Sequence, residues 1–207
     1  MRLFSNIISG MFHPLLMVTY GVILALSFTY LAIYPPTMKL FLVGGAFLST
    51  AVIPGLFIFL MVKNGAAGDL ELSDRKERVV PYLIIITSIM VCIFYMYKMM
   101  LPFWFLSLLM GSCVALLISL FINFFWKISA HALGIGGGAA GRYHGRCPHP
   151  PDKSLLGLYY RVAGCRAGGY FPDFLKRHTP MQVYAGFCLG FICTFVASLL
   201  SYIYLFI

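Results

Sequence analysis

Residues Phe103 to Trp126 read FWFLSLLMGSCVALLISLFINFFW, twenty-four positions without a charged side chain. In lipid every backbone N–H and C=O must find its partner inside the segment, so a helix of about twenty apolar residues is the economical way across. This stretch is long enough, and Trp104 and Trp126 near its ends suit the headgroup interface. The fold class follows: an all-α, polytopic transmembrane helical bundle. Composition agrees, since the 207-residue chain is 61% hydrophobic and 10% charged. Its mean hydropathy is +0.91. Soluble domains are nearer half apolar and a quarter charged.

Working outward, Pro81 to Met100 reads as the preceding span, with Tyr95 and Tyr97 as interfacial aromatics and Pro102 marking a tight turn. Leu40 to Val62 is another, with a kink expected at Pro54. A first span runs from about Pro14 to Tyr34, stopped by Pro35-Pro36, and a last one from Met181 to Ile207. Residues 1–12 hold only Arg2 as a charge, so the first apolar stretch reads as a retained span and not a cleaved leader. The expectation is one membrane domain over residues 1–207 with about 5–7 spans, as a multi-pass integral protein of a bacterial inner membrane.

The net charge of +9 does not point to nucleic acid. The basic residues sit in short loops between spans, where positive-inside bias and anionic headgroups account for them; membrane lipids are the expected partners. Nor do six cysteines make a disulfide framework. Cys92, Cys113, Cys188 and Cys193 fall inside apolar helices as small core residues. Cys147 and Cys165 lack the CxxC spacing of a zinc site, so no metal or other cofactor is expected.

Residues 132–173 break the pattern. Ala132 to Ala140 begins like a helix with small-residue packing through Gly134, Gly136, Gly137 and Gly138. Gly141 to Asp173 then brings five Arg or Lys, two His, two Cys and four Pro, and Pro148, Pro150 and Pro151 exclude a regular helix. One reading of 141–173 is an atypical polar loop; the sharper one is a frame error. Read one base later, permitted codons for Arg142–Tyr160 can yield DIMGVALIRQINPYWDYII, and those for Arg161–Asp173 can yield VLLVAGLVGTSRI. The gap between His131 and His178 would then hold two spans and a turn. A base insertion or deletion flanking codons 141 and 173, relative to close relatives, is the genomic signature expected.

Chemistry-bearing residues cluster at helix mouths. The loop 63–80 carries Asp69, Glu71, Asp74, Arg75, Lys76, Glu77 and Arg78. Glu71 with Arg75 and Asp74 with Arg78 have the i,i+4 spacing of a solvated helix start. Lys76 and Arg78 are also the donors an oxyanion needs. Lys127-Ile128-Ser129-Ala130-His131 opens one helix, and Lys176-Arg177-His178-Thr179-Pro180 opens the last. Counting spans puts these mouths on one face if 132–173 crosses the membrane twice or not at all. Two imidazoles among cations suit phosphoryl transfer: one attacks phosphorus, the other protonates the leaving oxygen, and the cations hold the developing charge. His13, before Pro14, lies on the same side and reads as a cap or interfacial residue.

Here the chain resembles a divergent bacterial form of the type 2 phosphatidic acid phosphatase superfamily, the lipid phosphate phosphatases. That family's third motif is Ser-Arg, five residues, His, three residues and Asp, followed by spaced glycines. His178 matches the nucleophile, and Val183, Gly186 and Gly190 match the helix after it. Gln182 stands where the family has Asp, as the orienting residue. Of the Pro-Ser-Gly-His motif, Ser129 and His131 match while Ile128 and Ala130 do not; Lys76, Arg78 and Pro81 echo the first motif. The frame-shifted string puts Ser and Arg in the slots of Phe171 and Pro172, with five residues before His178.

The resemblance implies His178 and His131 as catalytic residues, Lys76, Arg78 and Ser129 as phosphate ligands, Gln182 as the orienting residue, and no metal. It implies hydrolysis or binding of a lipid phosphate, the enzyme class being a phosphoric monoester hydrolase. An amide at Gln182 can orient a ring but not support its positive charge, so weak activity or binding alone also fits. The rival is a non-enzymatic multi-pass protein, a transporter or lipid-binding scaffold. Positive charges place the motif face in the cytoplasm, whereas the resemblance implies the outer face of the inner membrane.

Overall fold

The computed structural model describes residues 14–65, 79–144 and 179–206, and every regular element among them is helical. The order is α1 (Pro14–Phe28), a 3₁₀ turn (Tyr30–Ile33), α2 (Pro36–Phe47), a π turn (Leu48–Val52) and α3 (Ile53–Lys63). There follow α4 (Val79–Lys98), α5 (Phe103–Asn123), α6 (Ala130–His144) and α7 (Pro180–Phe206). Four rods are long and apolar enough to cross a membrane: Pro36–Lys63, α4, α5 and α7 through Tyr204. Two shorter helices, α1 and α6, pack among them.

The expected first span is therefore divided. Thr29 caps the 3₁₀ turn by accepting from the Leu31 N–H at 3.2 Å, while its hydroxyl donates to the Ala25 carbonyl at 2.7 Å. Leu31 is thereby driven fully inside, and Pro36 supplies the first residue of the next helix. The kink expected at Pro54 takes the form of a π turn just before it. Proline has no N–H and its ring crowds the carbonyl four residues back, so the regular ladder fails there. The Ser49 and Thr50 hydroxyls fold back to the Gly45 and Ala46 carbonyls at 2.7 and 2.8 Å, so neither stands bare in the interior.

Cross-contacts fix the directions. The Tyr95 hydroxyl donates to the Phe41 carbonyl at 2.9 Å, and the Tyr82 and Ser119 hydroxyls meet at 3.4 Å. The Trp104 Nε1–H donates to the Tyr30 hydroxyl at 2.7 Å, and the Phe103 and Tyr204 rings lie 6.1 Å apart. Neighbours α4/α5 and α5/α7 are thus antiparallel. One end of the bundle gathers Pro14, Lys63, Val79, Asn123, Ala130 and Pro180. The other gathers Phe28, Pro36, Lys98 and Phe103. Val22, Leu26, Leu42, Met96, Leu106 and Cys113 form part of the buried core between α1, α2, α4 and α5.

Packing around α7 works differently. Between lipid-facing helices there is little hydrophobic driving force, so association relies on backbone approach at small residues. A Cβ added at Gly111 of α5 would stand 2.7 Å from the Thr194 Cα and 2.9 Å from the Ala197 Cβ. One at Gly190 would run into the Leu133 carbonyl, and one at Gly136 into the Phe187 carbonyl. Reading Ser129, Leu133 and Gly137 up α6 meets Gly186, Gly190 and Thr194 in the same order on α7. The pair is parallel.

Candidate functional site

The parallel pairing sets the start of α6 against Gln182 and Gly186 of α7. Ser129 is fully buried and is the N-cap of α6: its Oγ accepts from the Ala132 N–H at 3.4 Å. Its own N–H donates to the Gln182 carbonyl at 3.4 Å, tying the start of α6 to the first turn of α7. Behind this contact a Cβ at Gly186 would lie 2.6 Å from the Ser129 carbonyl, so only glycine lets the two helix starts close up. His131, half-buried, sits in the first turn of α6, and Lys127 is half-buried three residues before the helix.

The start of α7 closes on itself. Thr179 is its cap, and Pro180 takes the first helical position, where no N–H is needed. Gln182 reaches back so that its Oε1 accepts from the Thr179 N–H at 3.2 Å, while its own N–H donates to the Thr179 carbonyl at 3.0 Å. This is one half of a capping box, legible as Thr-Pro-Met-Gln before an apolar run. The residue matched to the family's Asp thus has a local task, one the resemblance concealed.

Of the expected site residues, Ser129 and Gln182 are brought into contact, and His131 lies two residues on from Ser129 in the first turn of α6. His178, Lys76 and Arg78 lie outside the described residues, as does most of the segment 141–173. Their described neighbours in sequence are at the same end: Thr179 directly follows His178, and Val79 directly follows Arg78. Lys63, at the last turn of α3, adds a cation there. Among the described residues no three His, Cys, Asp or Glu side chains converge as metal ligands would.

The start of each helix carries a positive end, equivalent to about half an elementary charge, with α6 beginning beside Gln182 and Gly186, past the first residues of α7. With Lys127 and His131 at the same place, the arrangement favours a negatively charged group over a neutral one. No family model, curated protein or solved structure matches the chain.

Proposed function

We propose that the chain is a membrane-embedded, phosphatase-like protein that binds the phosphate of a lipid at the end of the bundle where α6 and α7 begin. The observation that supports it most is the Ser129 N–H to Gln182 carbonyl contact. It sets the Ser129-Ala130-His131 turn against Gln182 in the first turn of α7, the helix that opens two residues after His178. In this reading the family is the lipid phosphate phosphatases and the membrane is a bacterial inner membrane.

The chemistry balances without a metal. His178 donates a ring lone pair to phosphorus as the bond from phosphorus to the lipid oxygen breaks. His131 gives that oxygen a proton, releasing the lipid alcohol. Water then attacks the phosphohistidine, His131 takes its proton, and the N–P bond breaks to release inorganic phosphate. Lys76, Arg78 and the two helix ends hold the charge on the equatorial oxygens.

A second reading, binding without turnover, is favoured by one observation: the Gln182 Oε1 accepts from the Thr179 N–H, a capping task. Nor does an amide carry the charge with which a carboxylate would support an imidazolium. Inorganic phosphate release from phosphatidic acid in detergent separates the two readings. His178→Ala and His131→Ala should each abolish release; activity kept by either purified variant would sink the mechanism. Phosphatidic acid retained by the wild-type chain but never hydrolysed would assign binding alone.

A further inference from the structure

At the opposite end from the candidate site, α4 and α5 leave between them an outward-facing groove of about 310 Å³. That volume is near the lower bound of ligand pockets, about 300 Å³. Phe94 and Tyr97 from α4 face Phe103, Leu106 and Met110 from α5 across it. Both helices are of membrane-crossing length, so the groove opens where hydrocarbon chains run. Next to its Tyr97 lining residue, at the last residue of α4, the exposed Lys98 holds its Nζ 5.4 Å from the Phe94 ring centroid. An ammonium has three donors, and one aromatic face does not consume them. The other described cation at this end, Lys39, already donates to the Ala32 carbonyl at 2.6 Å.

An apolar slot with an aromatic wall and a cation at its headgroup end has the chemistry of an anionic phospholipid. We propose that the groove binds one acyl chain of such a lipid, with Lys98 pairing its phosphate and Tyr97 at the interface. The alternative occupant is a second copy of the chain, which among the described residues brings no carboxylate to meet Lys98. The site lies at the other end of the bundle from the starts of α6 and α7 and is independent of the phosphatase reading.

Native mass spectrometry of the detergent-solubilised chain, offered equal phosphatidylglycerol and phosphatidylethanolamine, tests this. One phosphatidylglycerol should be retained in preference. Lys98→Gln should lower that preference about fivefold, which is ~1 kcal/mol for one basic residue at an anionic surface. Met110→Trp should fill the slot and reduce retention of both lipids. Phe94→Leu, a milder change at an exposed position, should weaken retention even if the tryptophan variant fails to fold. Equal retention of the two lipids by the wild type, or a preference untouched by Lys98→Gln, overturns the proposal. So does a lipid-free dimer that Met110→Trp dissociates.

Discussion

Gly190 and Gln182, about two turns apart on the same helix, show how differently single residues act here. At Gly190 any side chain meets the Leu133 carbonyl, part of a backbone that cannot swing aside. Gly190→Ala should therefore destabilise the bundle by about 1–3 kcal/mol, the usual range for overpacking. Gly44→Ala, at an exposed helical site with nothing within 4 Å of the added Cβ, should gain up to ~1 kcal/mol from helix propensity alone. Thermal unfolding of both variants in one detergent checks the contrast; equal shifts would remove the packing argument. Gln182 acts through charge. If His178 is the nucleophile, Gln182→Asp supplies the missing carboxylate and should raise phosphatidic acid hydrolysis at least about tenfold; in serine proteases the reverse change costs on the order of ten-thousand-fold. Unchanged or lower turnover, measured as phosphate release, would remove position 182 from the mechanism. The capping role of Gln182 was readable in Thr179-Pro180-Met181-Gln182, but the family resemblance gave it a different meaning.

Elements follow from local chemistry, and their partners do not. Apolar length and absence of charge placed α4, α5 and α7 to within two or three residues, because the backbone must satisfy itself in lipid whatever lies beside it. Pro54 announced a break, while the π turn that resolves it depended on Ser49 and Thr50 folding back onto their own helix. The glycines of α6 announced close packing without naming a neighbour. Gly134 faces Met17 of α1, whereas Gly136 and Gly137 face α7, and only assembled helices distinguish these. The parallel register has a direct check. A Cβ at Gly137 would lie 3.3 Å from the Thr194 Cγ2, so the pair Gly137→Cys and Thr194→Cys should cross-link under mild oxidation, within reach of a disulfide. With Gly137→Cys and Gln182→Cys, near opposite ends of the pair, no bridge should form. Bridging of the second pair and not the first, seen as a gel-mobility shift after proteolysis between them, would reverse the register.

For the whole molecule the alternation of helices makes two ends with different contents. Asn64, after α3, and Met100, in the turn between α4 and α5 with φ of 58°, stand at opposite ends and are exposed. Asn64→Cys and Met100→Cys should therefore react with a membrane-impermeant maleimide from opposite sides of intact cells or vesicles. Labelling from the same side would overturn the topology, and the side on which Asn64→Cys reacts also decides which compartment the candidate site faces. Hydropathy, prolines and capping residues by themselves determined that this is a helical bundle of membrane-crossing length, and roughly where each helix begins and ends. Those are local demands, since a peptide group without water must bond within a few residues of itself. The meeting of Ser129 with the first turn of α7 was only allowed by the sequence, through a count of spans that 132–173 left open. Tertiary structure decided it, because whether Gly186 faces the Ser129 carbonyl depends on rotation and register between helices, which small side chains permit but do not specify.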